Sequence, residues 1–171
     1  MRFDLSSLGV MAVAIASSLT VAFWLTHVGD AGVAWAGPGA PLPAEAPARG
    51  HPGQVLKAAD GHYWAQADID GRAVRVLVDT GASVVALTRE DALRLGYRLA
   101  PADFTTTVVT ASGAARAAPV ELKTVAVAGA RVDAVEALVV ESGLPHSLLG
   151  MSYLGRLAAF QATPSALTLR P

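Results

Sequence analysis

The residues with the clearest chemical potential are Asp79, Thr80 and Gly81, set in the run VRVLVDTGASVVALT from Val74 to Thr88. A carboxylate is seldom left at the end of an apolar strand without a partner or a task. Gly81 permits a sharp turn and leaves the approach to Asp79 open. The Thr80 hydroxyl can donate and accept, and so brace the loop. Hydrolysis of a peptide bond by carboxylates needs two of them side by side. One is ionised and draws a proton from water; the other is protonated and donates to the substrate carbonyl. Like charges that close cannot both ionise, so the pair titrates in two steps and activity is expected to peak in mild acid. The chain has no second Asp-Thr-Gly or Asp-Ser-Gly. If this chemistry operates, the other carboxylate comes from another molecule, and a two-fold dimer would bring two Asp79 residues together at its axis. An Asp-x-Gly tripeptide alone is ordinarily a turn, and Asp68, Asp70-Gly71 and Asp60-Gly61 read as turns only.

The elements that must position Asp79 follow from the surrounding pattern. YWAQADI (Tyr63 to Ile69) reads as a strand, Asp70-Gly71 as a hairpin turn and RAVRVLV (Arg72 to Val78) as the return strand. Val74, Val76 and Val78 share one face, with Arg75 on the other. VVAL is a short strand after the turn. Thr88 reads as an N-cap with Asp91 three residues on, and REDALRL as a helix ending at Gly96. DFTTTVV and RAAPVELKTVAV form the arms of a second hairpin around Gly113. Ala128-Gly129 makes another turn before ARVDAVEALVV. In PHSLLGMSYLGRL (Pro145 to Leu157), Leu148, Met151, Tyr153 and Leu154 recur at helical spacing. AAFQAT and SALTLRP close the chain as two short strands. The expected fold is mainly β with one or two short helices, over residues 55–171.

The whole chain has 171 residues, net charge −1, no cysteine and an apolar fraction of 53%. Near-neutral charge gives no reason to expect nucleic acid. The lack of Cys removes disulfides, thiolate metal sites and a Cys nucleophile. His51 and His62 lack a third ligand at fixed spacing and read as surface groups, so neither metal nor cofactor is expected. Much of the apolar excess lies in LGVMAVAIASSLTVAFWLTHV (Leu8 to Val28), which carries no Asp, Glu, Lys or Arg. About 20 apolar residues cross a bilayer as a helix. Arg2 precedes the run, and no Lys or Arg follows it before Arg49, which puts the N-terminus in the cytoplasm and the rest outside. A cleaved signal peptide is the competing reading, with AWAG (Ala34 to Gly37) as its small-residue site. The length of the run and the anchors Trp24 and Trp35 favour an uncleaved signal anchor over residues 1–30. Residues 31–54 are rich in Pro, Ala and Gly and read as an extended or disordered linker, itself a candidate for self-cleavage between Ala34 and Arg49.

VLVDTGASVVALT resembles the active-site segment of single-lobe, retropepsin-like aspartic proteases, and the chain is similar to their small membrane-anchored bacterial type. VTASGAARA (Val109 to Ala117) stands where that family carries its flap, VEALVV (Val135 to Val140) matches the strand before the final helix, and SLLGMSYLGRL (Ser147 to Leu157) matches its LLG segment entering a helix. The resemblance implies a retropepsin-like β-barrel. Asp79 would activate the water, Thr80 interlock with its copy, Gly81 and Ala82 shape the floor, and Ser83 add a hydrogen bond. Ala111, Ser112 and Gly113 would form the flap tip, and Leu149 and Gly150 would pack behind the active loop. The flap is Ala-rich and offers no large side chain to cover the cleft, which implies either low substrate affinity or loose specificity. The implied protein is a homodimeric aspartic endopeptidase acting on polypeptides. It would be held by a single pass in a bacterial inner membrane, with its catalytic domain on the periplasmic side. The alternative is a non-catalytic dimerisation or peptide-binding module of the same fold. A phosphoryl-transfer aspartate is disfavoured, since no Gly-rich phosphate loop accompanies it.

Overall fold

The computed structural model describes residues 45–110 and 113–171. The expected membrane segment lies outside the described residues, as do most of the linker and two flap-tip positions, Ala111 and Ser112. Among the described residues no helix is long and apolar enough to cross a membrane.

Among the described residues eleven strands form two sheets: β1 (Arg49–Gly50), β2 (Gly53–Leu56), β3 (Trp64–Ile69), β4 (Arg72–Val78), β5 (Val85–Thr88), β6 (Thr106–Thr110), β7 (Gly113–Val127), β8 (Ala130–Val140), β9 (Ser147–Leu149), β10 (Ala159–Ala162) and β11 (Ala166–Arg170). Helices α1 (Arg89–Leu95) and α2 (Met151–Leu154) and a 3-10 turn at Pro101–Asp103 complete the described chain. The larger sheet runs β1-β8-β5-β9-β4-β3-β7-β6, and an added β7–β8 pairing closes it on itself. The smaller sheet runs β10-β11-β2.

Local chemistry accounts for most of these elements. At the β3–β4 turn, Asp70 and Gly71 both adopt positive φ (52° and 80°), as a two-residue hairpin requires. The Asp70 carboxylate accepts from the Thr124 N–H at 2.8 Å and pins that turn to β7. Thr88 caps α1, its hydroxyl accepting from the Asp91 N–H at 3.1 Å. Gly96 ends the helix in the left-handed region at φ 102°. Alternation on β3 and β4 buries Ala65, Ala67, Ile69, Val74 and Val76; Val78 is half-buried at the core's margin. Leu122, Val125, Val132, Val135, Val139, Leu149, Tyr153 and Leu154 fill the interior. The buried Tyr153 hydroxyl donates to the Ala130 carbonyl at 2.9 Å, and burial pushes its phenol well above the usual range.

Two differences from the sequence expectation bear on function. The helical spacing over Pro145–Leu157 resolves into strand β9 followed by a single helical turn. Ser147–Leu149 pairs parallel with β4 (Val78↔Leu149) and touches β5 antiparallel (Ala86↔Leu148). A short apolar run fits either period, and here the two neighbouring strands decide it. The folded unit also begins at Glu45, inside the stretch whose composition reads as linker. β1 pairs with β8 and β2 with β11.

Arg156 secures that entry. Its side chain is only 7% exposed and donates to the Ala46 carbonyl at 2.5 and 3.0 Å and to the Ala134 carbonyl at 2.8 Å. Ala134 takes φ 50° within β8. The Arg156 carbonyl in turn accepts from the Ala48 N–H at 3.1 Å. Arg156→Ala is expected to cost about 2 kcal/mol, since its charge-assisted hydrogen bonds to the Ala46 and Ala134 carbonyls are lost. Limited proteolysis should then cut near Ala46 faster than in the parent. Equal cleavage rates would show that strand pairing alone holds this segment.

Candidate active site

β4 ends at Val78, and Asp79 begins the turn towards β5. The Asp79 N–H donates to the Leu149 carbonyl at 3.1 Å, continuing the β4–β9 ladder to the carboxylate-bearing residue. Its Oδ1 accepts from the Gly81 N–H at 2.8 Å, and its carbonyl accepts from the Ala82 N–H at 3.3 Å. A Cβ on Gly81 would stand 3.1 Å from Asp79 Oδ1, so glycine keeps that approach clear. Among the described residues no donor reaches Oδ2. Thr80, Gly81 and Ser83 are exposed, and Ala82 is half-buried.

The loop is gripped from behind by the turn that joins β9 to α2. The Met151 N–H donates to the Ala82 carbonyl at 2.8 Å and the Ser152 N–H to the Ser83 carbonyl at 3.1 Å. Gly150 lies so close that a Cβ would meet the Val84 carbonyl oxygen at 2.2 Å and the Ala82 oxygen at 2.7 Å. Leu149, fully buried, supplies the carbonyl that holds Asp79.

Ser152 was not legible as a site residue. Its hydroxyl accepts from the Val85 N–H at 2.9 Å and donates to the Glu136 carbonyl at 2.7 Å, tying β5, α2 and β8 together. The only sequence signal is a hydroxyl two places beyond a glycine. Ser147 was likewise missed. It accepts from the Thr88 N–H at 3.0 Å and donates to Asp91 Oδ2 at 2.5 Å, so the α1 cap closes through β9. Arg94, itself largely exposed, pairs with Asp91 Oδ1 from the solvent side.

In front of Asp79 lies a cleft of about 650 Å³. Leu77 and Leu148 wall it from β4 and β9, Leu138 and Val140 from β8, Val108 and Val109 from the flap arm, and Leu144 and Pro145 from the loop before β9. Asp79 is the one carboxylate among its described lining residues. The apolar cover missing from the Ala-rich flap tip thus comes from the β6 arm, where Val109 is 89% exposed. The flap base is fixed by Arg116, which donates to the Phe104 and Pro101 carbonyls at 2.8 Å and lies 3.7 Å from the Glu141 carboxylate. Thr110 pairs with Gly113 at the flap's end, with Gly113 at φ 109°.

Among the described residues no three His, Asp or Glu side chains gather as a metal site. His62 lies beside Asp60, while the His51 ring packs over Gly129.

A strand-end carboxylate on a glycine turn, a strand inserted behind it and a hairpin over the front define the single-lobe aspartic protease class. The "gag-polyprotein putative aspartyl protease" family model matches residues 65–156, and the chain belongs to this retropepsin-like family. The crystal structure of a retropepsin-like aspartic protease from Rickettsia conorii is 34% identical. The match has a TM-score of 0.64 and covers 71% of this chain and 92% of that one. The protease of EIAV, solved with the inhibitor HBY-793, is 24% identical at a TM-score of 0.50, covering 61% and 96%; it supports the fold alone. An uncharacterized protein from the cobV 5′ region of a Sinorhizobium species is 42% identical over 117 residues, 68% of this chain and 50% of that protein. An uncharacterized protein of Rickettsia prowazekii is 37% identical over 115 residues, 67% and 49%. The chain spans about half the length of the curated relatives it matches.

Gly150→Ala drives a methyl group into backbone that cannot yield. It should cost about 3 kcal/mol or more and displace the Asp79 loop. Ser152→Ala leaves the Val85 N–H without its partner and should cost about 1–2 kcal/mol. Thermal unfolding of both variants checks this ordering; a Gly150→Ala protein that melts with the parent would contradict the packing described.

Proposed function

We propose that the chain is an aspartic endopeptidase whose active unit is a homodimer with paired Asp79 carboxylates. The observation that carries this reading is a substrate-sized apolar cleft with a single carboxylate at its floor, in a chain of the retropepsin-like family. In the dimer one Asp79 is ionised and the other protonated. The ionised carboxylate takes a proton from water as the water oxygen attacks the scissile carbonyl carbon. The protonated carboxyl donates to the carbonyl oxygen, giving a tetrahedral diol. The proton taken from water then passes to the amide nitrogen, and the C–N bond breaks. As the diol collapses, one of its hydroxyls returns a proton to an ionised Asp79, a carboxyl and an amine leave, and the pair again holds one proton. Thr80, exposed beside Asp79, interlocks with its copy across the axis, and the flap lays an extended substrate over the pair by strand-like hydrogen bonding.

The apolar run Leu8–Val28 anchors the enzyme by a single pass in a bacterial inner membrane. The catalytic unit then faces the periplasm, as the charge asymmetry around the run implies. Confinement to a membrane raises the local concentration of protomers and favours a weak dimer.

Asp79→Asn in the full chain should lower peptide cleavage by about 10²–10⁴-fold, with the dimer still present by sedimentation in detergent. Unchanged turnover would remove Asp79 from the chemistry. A parent chain that dimerises and binds peptides without cleaving them would favour a binding module. Turnover by the parent should also trace a bell in mild acid and vanish once both carboxylates ionise. A profile flat into alkaline pH would contradict the shared proton.

A further inference from the structure

On the far side of Leu144 and Pro145 from the catalytic cleft lies a second groove, of about 510 Å³, and those two residues line both. The same face of β4 connects them: Leu77 lines the cleft, and Arg75, two residues earlier, lines the groove. The groove is organised around Trp64. The indole N–H donates to Asp60 Oδ2 at 2.8 Å, and the His146 ring meets the indole edge-on at 4.9 Å between centroids. The Arg75 guanidinium lies over the indole, 4.3 Å from its centroid.

The charges in this groove are unequally spent. Asp91 is buried and committed to Arg94, Ser147 and Thr88. Among the described residues, Arg75 has no carboxylate partner. A guanidinium stacked by its face keeps its N–H donors free along the edge, where a carboxylate can be met by two parallel hydrogen bonds. Glu90, exposed in the same groove, is likewise without an ion-pair partner among the described residues and disfavours a ligand carrying many negative charges. One carboxylate on an otherwise uncharged chain suits both features.

We propose that this groove is an exosite that holds an acidic side chain of the polypeptide substrate, displaced along the chain from the scissile bond. The proposal rests on the endopeptidase reading and narrows its substrate to peptides with Asp or Glu at that offset. The cleft itself recognises apolar residues; the groove adds a charge requirement that the cleft lacks.

The test separates binding from turnover. The full chain carrying Asp79→Asn is mixed in detergent with labelled apolar peptides that bear a single Glu or a single Gln, moved stepwise along the sequence. Fluorescence anisotropy should find one register at which the Glu peptide binds about threefold more tightly at low salt, the scale of one exposed ion pair. Adding Arg75→Glu should reverse the preference, so that a Lys peptide binds better at that register. No Glu preference at any register, or one that survives Arg75→Glu, overturns the proposal. Cleavage of the same peptides by the parent chain is scored separately. A charge preference without any cleavage would sink the endopeptidase reading while leaving the groove's ligand class standing. Cleavage with no charge preference would do the reverse.

Discussion

The arrangement depends on one close backbone approach. Gly150 brings the β9–α2 turn against the carbonyls of Ala82 and Val84, nearer than any side chain allows. That contact lets Met151 and Ser152 donate their N–H groups to the Asp79 loop, while Leu149 receives the N–H of Asp79 itself. A loop that would otherwise be free to sample many conformations is thereby tied at successive residues to the barrel interior. The entropy of ordering it is offset by hydrogen bonds that have no other partners. The carboxylate is therefore presented by the fold and not by the loop's own preference.

The insertion of β9 between β4 and β5 explains why the cleft has its shape. β4 and β5 flank the Asp79 turn but do not pair directly; β9 spreads them. Their outer faces, with that of β9, become the apolar floor that Leu77, Ala86 and Leu148 provide. β7 extends from the barrel into the flap, so cleft cover and core share one continuous strand. Arg116 and Glu141 clamp the junction between those two roles. The proposed pairing of two such half-sites adds no new element; it uses the same loop twice.

Features set by neighbouring residues were legible in the sequence. The Asp70-Gly71 hairpin, the Thr88 cap, the Gly96 stop and the alternation along β3 and β4 each follow from local chemistry. Gly150 was readable only through the family pattern, because its neighbours Ala82 and Val84 are remote in the chain. β9 was obscured because Leu148, Met151, Tyr153 and Leu154 satisfy a helical period, and only pairing with distant strands selects the extended form. Residues 45–54 look like linker because Pro, Gly and Ala cannot form a core. They are nevertheless recruited by Arg156, β8 and β11, none of which their composition can announce. Ser147 and Ser152 were invisible for a related reason: a serine acquires a role from the backbone groups brought to it.

The central claim is that one protomer holds half of the hydrolytic machinery. It is tested most directly by co-expressing parent and Asp79→Asn chains in equal amounts and measuring peptide cleavage per total chain. If both carboxylates of a randomly assorted dimer are required, activity falls to about a quarter of the all-parent value. Activity that falls only to about a half, in proportion to the parent chain present, would mean that each protomer works alone and would contradict the account.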